Sequence, residues 1–335
     1  MNVTGSVVEG NARRSTIWEQ TVGRVARPEV CKNLDPAFDG RGSRSGCDFT
    51  TRIPWELRSG FGLSIRAEDA WKITRGSPDV AIAIIDEGFD VRSLRLGSKI
   101  EVQSASRCTS SPTRFSSTTH GARLSELIAG SRKGYPGVAP QCRLLLIELP
   151  SYCTEAEEAY AFDLALQFNA AAVCCAWGPP YRGQNVSRPI PAPVATSVER
   201  LSREARGGLG CMVFFAAGNH GCDVGLDGYA SHPMVTVVGG ITRRGDRPPS
   251  VDFGDKIEMA APISSPDGVV GGTPGLPAGT SGAAALVTGV AGLIFSVNPG
   301  LSASEVSAIL TAVNCSFRRR NVVSVQNSRR CAAVR

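Results

Sequence analysis

Five short apolar runs, each nearly unbroken, constrain this chain more than any other feature. They span Val80 to Ile85, Arg143 to Leu149, Ala171 to Ala176, Met212 to Ala216 and Met234 to Val238. A strand with one wet face alternates apolar and polar side chains, whereas a strand covered on both faces is apolar at successive positions. Between the runs lie helical patterns, EAEEAYAFDLALQF from Glu155 and ATSVERLSREAR from Ala195, the second stopped by Gly207 and Gly208. Parallel neighbours need crossover connections of a dozen or more residues, and helices supply them. The expected fold is therefore α/β, a three-layer sandwich with a mostly parallel central sheet. Near the end of the chain, NPGLSASEVSAIL sets Glu305 three residues after Ser302, the signature of a capping box ahead of Val306, Ile309 and Leu310.

With 335 residues and 42% hydrophobic composition, the chain can bury one large core. Residues 1–54 mix Gly, Arg, Ser and acids without a sustained apolar period and read as an N-terminal extension. The main domain then runs over 55–312, followed by a basic tail, 313–335. From Phe317 to Arg335 there are six Arg and no acid; removing 6 from the 36 Lys and Arg leaves 30 against 30 Asp and Glu. The neutral body gives no basis for nucleic-acid steering. The first twenty residues lack the apolar centre of a secretory signal, and no apolar run approaches the ~18 residues of a membrane span, so no membrane partner is expected. Eleven cysteines are an odd number, and Cys174 and Cys175 sit side by side in an apolar run. Reduced, buried cysteines and a cytoplasmic location are the expectation.

Chemistry enters with four segments. IIDEG ends at Gly88, THGARLSELIAG starts at Thr119, FFAAGNHG carries Asn219, and GTSGAAALVTG starts at Gly279. They place Asp86 at the end of a strand, and His120 and Ser281 each at the start of a helical pattern. A Ser hydroxyl is a poor nucleophile at neutral pH; it needs a base to take its proton, and the base needs a third group to hold its tautomer. Taken singly, Asp86 reads as a turn residue and Ser281 as a helix cap. Taken together, the order Asp, His, Ser with these flanks resembles the subtilisin-like serine peptidases, the subtilases, from about Trp55 to Ala312. The resemblance implies that Ser281 attacks the scissile carbonyl, His120 relays the proton, and Asp86 orients and charge-balances His120. It also implies that Asn219 donates its side-chain amide to the oxyanion beside the backbone N–H of Ser281. CCAWGPP resembles the substrate-lining strand of that family, which makes Ala176, Trp177 and Gly178 candidate contacts for an extended peptide. A buried strand end is the other reading of those three residues.

The resemblance carries departures. Glu87 stands where the family commonly has Thr, Ala122 and Arg123 follow the His-Gly pair, Gly282 replaces the Met after the nucleophile, and Ala285 and Leu286 replace a Pro-His pair. Glu87 and Arg123 are expected to pair across the cleft. The loop GSRKGYPGVAP, with Arg132 and Lys133, is basic where secreted subtilisins bind calcium through oxygen ligands, so no required metal is expected there, and no cofactor. The Pro-rich stretch from Pro179 to Pro193 reads as a specificity loop or a stiff connector, and the former is the expectation because loops on this rim select substrates. The implied activity is a cytoplasmic serine endopeptidase of narrow specificity acting on a protein or precursor peptide, with the oligomeric state open. A subtilase fold kept for binding, and a ligase or cyclase using the same triad, are the alternatives.

Overall fold

Each apolar run forms a strand whose alternate residues enter two different cores. The computed structural model describes residues 53–58, 63–89, 100–106, 120–130, 135–150, 153–178, 189–263, 269–270, 273–274 and 279–318. Among the described residues seven strands form one sheet: β1 Ala81–Asp86, β2 Ile100–Ser104, β3 Arg143–Glu148, β4 Ala172–Cys175, β5 Met212–Ala216, β6 Val235–Ile241 and β7 Ile257–Pro262. Their order is β2-β3-β1-β4-β5-β6-β7, and every neighbouring pair is parallel. Among the described residues five helices of ten or more residues cover the sheet: α1 His120–Ala129, α2 Glu155–Gln167, α3 Ala192–Gly208, α4 Gly279–Val297 and α5 Ala303–Arg318.

Ile82 and Ile84 of β1, Leu144 and Leu146 of β3, and Phe214 of β5 pack with residues of α1, α4 and α5. Their neighbours Ala83, Ile85, Leu145, Ile147 and Phe215 pack on the opposite face with residues of α2 and α3. This is why the runs are apolar throughout, and each fully buried Ile, Leu or Phe contributes about 1.5–3 kcal/mol. The α/β three-layer expectation holds. The capping box also forms: the Ser302 hydroxyl accepts from the Glu305 N–H at 3.2 Å, and Glu305 Oε2 accepts from the Ser302 N–H at 2.9 Å.

Three details differ from the reading of the sequence. Strands β2 and β7 were not foreseen; each has a single neighbour in the sheet, and each is partly exposed. Helix α5 runs to Arg318, six residues into the stretch assigned to the tail, because no Gly or Pro interrupts it. Helix α4 is 19 residues long, and its most apolar 18 residues have mean hydropathy 1.7, so by length and composition one apolar stretch does match a membrane span; 78% of those 18 residues are buried within the protein. It is the core helix of this face, brought close to its neighbours by Gly289 and Gly292, whose added Cβ atoms would lie 2.6 Å from Val138 and 2.5 Å from Ile82.

The topology positions the site. After β1 the chain passes to the edge strand β2, returns to place β3 between β2 and β1, then crosses to the other side of β1 to form β4. The carboxyl ends of β1 and β4 therefore flank the switch point, where open α/β sheets bind ligands.

Candidate active site

Asp86 is the last residue of β1 and is 1% exposed. Both of its carboxylate oxygens lie within hydrogen-bond distance of His120 Nδ1, at 2.9 and 3.0 Å. His120 opens α1, whose start is tied to the end of β1 by the Gly121 N–H donating to the Glu87 carbonyl and the Ala122 N–H to the Gly88 carbonyl. Burial pushes the Asp86 carboxyl above its ordinary pKa, and the hydrogen bond and charge of His120 pull it only part of the way back. Burial pushes His120 down, but the hydrogen bond and charge of Asp86, helped by the charge of Glu87, outweigh it and leave the imidazole above the usual histidine value. Arg123 opposes this rise.

Ser281 lies in the first turn of α4, 8% exposed, and its hydroxyl donates to the Ala176 carbonyl at 3.4 Å. Ala176 directly follows β4, and Ile85 and Cys175 are register partners in β1 and β4. The next residues of these two strands are Asp86 and Ala176. The Asp86–His120 pair and Ser281 are therefore held at the carboxyl ends of adjacent strands, whose spacing is about 4.8 Å. Among the described residues no hydrogen bond joins Ser281 to His120.

Asn219 follows β5 on an exposed turn and reaches the start of α4. Its Oδ1 accepts from the Thr280 N–H at 3.0 Å and from the Thr280 hydroxyl at 3.3 Å, which leaves Nδ2 as the donating end of the amide. The Thr280 hydroxyl in turn accepts from the Gly218 N–H at 3.1 Å. Gly279 has φ 69, and a Cβ there would lie 2.4 Å from Asn219 Oδ1, so glycine is needed for this approach on both counts. The result is an amide donor beside a helix N-terminus that holds the Ser281 N–H, an arrangement suited to a developing oxyanion.

The model of the subtilase family matches residues 77–323, most of the chain. The chain belongs to the subtilase family.

Among curated relatives, this subtilase is 33% identical over 242 residues to a "Calcium-dependent protease" of Nostoc sp. (strain PCC 7120), covering 66% of this chain and 36% of the relative. A second, from Trichormus variabilis and of the same name, is 33% identical over 223 residues, 62% of this chain and 33% of the relative. The subtilase thus spans about a third of the length of these relatives. Among solved structures, the self-cleaved protease domain of PatA superposes with TM-score 0.55 at 25% identity, over 72% of this chain and 93% of that one. The prenylagaramide maturation protease PagA superposes with TM-score 0.55 at 23% identity, over 70% and 82%.

Ala176 is half-buried beside Ser281, and Gly178 is exposed. Trp177 turns its indole inward: Nε1 donates to the Ile85 carbonyl at 2.7 Å, and the ring meets Phe215 and Tyr229 edge-on, with centroids at 5.2 and 5.5 Å. What this segment can offer a peptide is its backbone and not the indole. Among the described residues no ion pair joins Glu87 to Arg123; Glu87 is exposed, and the two charges act on His120 in opposite senses. Arg132, Lys133 and residues 179–188 of the Pro-rich stretch lie outside the described residues, while Ala192 and Pro193 already belong to α3. Among the described residues no group of three or more His, Cys, Asp or Glu side chains could hold a metal ion.

Two residues of this subtilase site were not foreseen. Thr280 is 0% exposed and aligns the Asn219 amide. Asp252, 7% exposed, accepts at Oδ1 from the N–H groups of His220 and Cys222, at 2.8 and 2.9 Å, and so shapes the turn that carries Asn219. Gly218, with φ 108, makes room for the same carboxylate. Gly279 and Ser281, flanking Thr280, hinted at its role; nothing near Asp252 in the sequence ties it to Asn219, 33 positions away.

Proposed function

We propose that this subtilase is a serine endopeptidase using Asp86, His120 and Ser281, with Asn219 as an oxyanion donor. The observation that carries the reading is the Asp86–His120 hydrogen bond at the carboxyl end of β1, beside Ser281 at the end of the neighbouring strand. Because Nδ1 is committed to Asp86, Nε2 is the nitrogen left to act as base. Rotation about the Ser281 side chain exchanges its contact with Ala176 for one with Nε2. The serine oxygen then attacks the peptide carbonyl carbon, its proton passes to Nε2, and the carbonyl oxygen takes the negative charge between Asn219 Nδ2 and the Ser281 N–H. Nε2 returns the proton to the departing amine, leaving an acyl-enzyme, and water repeats the sequence to release the acid. Asp86 stays ionised throughout and stabilises the imidazolium, and its burial makes that interaction stronger than it would be in water.

The substrate in this reading is a protein or precursor peptide bound in extended form along Ala176 to Gly178 by backbone pairing. The enzyme works in a reducing, cytoplasmic setting, supported by the free thiols of Cys153, Cys174, Cys175, Cys211 and Cys222. Narrow specificity accords with that setting, since a broad protease would damage its host. A fluorophosphonate probe tests the chemistry. Labelling of the wild type that disappears in Ser281→Ala supports the enzyme, and a folded wild type that stays unlabelled overturns it in favour of a binding protein. Indiscriminate digestion of a panel of unfolded proteins would reject the narrow specificity alone.

A further inference from the structure

The strongest feature that catalysis does not use is a buried carboxyl group far along the chain from the triad. Glu56 is 1% exposed, and among the described residues neither of its carboxyl oxygens has a hydrogen-bond partner. The Tyr135 hydroxyl, on a residue 3% exposed, likewise has no partner of hydrogen-bond geometry among the described residues, although it lies near enough to Glu56 to favour its charge. A buried, unpaired carboxylate is far more costly than a buried carboxylic acid, so such a group holds its proton. Consistent with this, burial raises Glu56 to about 7.

The two residues join different parts of the fold. Glu56 lies in a short segment clamped to the following stretch, with the Ile65 N–H donating to the Glu56 carbonyl at 2.8 Å and the Glu68 N–H to the Leu57 carbonyl at 3.0 Å. Tyr135 begins the strap that returns along α1: the Val138 N–H donates to the Leu127 carbonyl and the Ala139 N–H to the Ile128 carbonyl. The Trp71 indole N–H binds the Val138 carbonyl at 2.8 Å and ties the strap to the stretch after Glu68. Among the charged groups nearby in sequence, Arg66 and Asp69 pair with each other at 2.7 Å, and Arg58 is exposed. Of the described titratable groups, Tyr135 is the one that acts on Glu56.

We propose that Glu56 is a proton-operated latch: protonated, it seals residues 53–58 against the Tyr135 strap behind the His120 helix, and ionised, it releases them. The sign follows from linkage. A carboxyl whose folded pKa is raised contributes stability that is full below the unfolded value, near 4.5, and is lost as pH rises through about 7. The opening equilibrium therefore shifts about tenfold per pH unit in that window, roughly 300-fold in all. The latch stands whether or not the triad is active, since it concerns the attachment of the segment that leads into residues 1–52.

Amide hydrogen exchange on the full chain tests it. In the wild type the protection factors of the Ile65 and Glu68 amides, corrected for the intrinsic pH dependence of exchange, fall steeply between pH 4.5 and 7. In Glu56→Gln they stay level. An equal fall in Glu56→Gln, or level protection in the wild type, overturns the latch. If Glu56→Gln does not fold, Tyr135→Phe decides: loss of the phenol moves the step to higher pH, and a step that stays where it was refutes the role of Glu56.

Discussion

Asn219→Asp separates the contact that one end of the amide makes in the structure from the catalytic task proposed for the other end. Oδ1 accepts from the N–H and hydroxyl of Thr280 at 3.0 and 3.3 Å, and Nδ2 is the donor proposed for the oxyanion. An Asp at this position keeps an acceptor for Thr280, and its charge suits the N-terminus of α4, where a carboxylate adds about 0.3–1 kcal/mol. It has no N–H to donate. Folding stability is therefore expected to be unchanged or slightly raised, while kcat falls by about 10²–10³, a figure established on subtilisin, itself a subtilase, and carried over from it. Asn219→Ala removes both tasks: it loses the same donor and also two hydrogen bonds, each worth about 0.5–1.5 kcal/mol, so its Tm drops by roughly 2–10 °C. Thermal melts together with kcat on one peptide substrate distinguish the cases. If Asn219→Asp turns over within threefold of wild type, Nδ2 is not the donor; if its Tm falls as far as that of the Ala variant, the Thr280 contact does not hold the amide as described.

Three further outcomes are expected. The proposed mechanism requires neutral His120, so activity should fall as pH drops through a value raised above the ordinary histidine one; Glu87→Gln moves this acid limb to lower pH and Arg123→Gln moves it to higher pH, read from kcat/KM profiles. Gly289→Ala lowers the Tm despite a helix-propensity gain of about 1 kcal/mol, because the new methyl would sit 2.6 Å from the Cβ of fully buried Val138; overpacking at about 1–3 kcal/mol outweighs the gain, and a higher Tm would refute the close approach of α4. Dialysis against a calcium chelator leaves turnover unchanged if the basic loop with Arg132 and Lys133 needs no metal, whereas loss that calcium restores would show a calcium requirement, as the names of the curated relatives suggest for those proteins.

The central strands were legible because burial on both faces leaves an unambiguous record: Ile82 to Ile85 and Leu144 to Ile147 cannot be apolar at every position unless each side meets a layer of helices. The edge strands left no such record. β2 reads IEVQS, with Val102 exposed and Glu101 paired to Arg143, so its sequence is that of any half-wet segment beside a sheet. Tertiary pairing, not local pattern, makes it a strand. Trp177 shows the same limit within a motif. Its neighbours signal a strand end, but only the positions of Ile85, Phe215 and Tyr229 decide that the indole faces inward.

For the site, the legible part is chemistry and the illegible part is support. Asp86, His120, Asn219 and Ser281, the reacting groups of the proposed mechanism, stand out because such groups need particular atoms, and few residue types supply them. Asp252 and Thr280 supply only a shape, by holding N–H groups and an amide in place, and many residues in other settings could do that. Support of this kind is recorded across the fold, in which turn meets which helix, and so it is invisible along the chain. It also predicts where damage is quiet: Asp252→Ala leaves every reacting group present, yet frees the turn of Asn219 by removing the acceptor of two N–H bonds. Its loss should fall on kcat more than on KM, because a misplaced oxyanion donor matters most in the transition state. Equal labelling by a fluorophosphonate with unchanged kcat would show that the turn holds its form without Asp252.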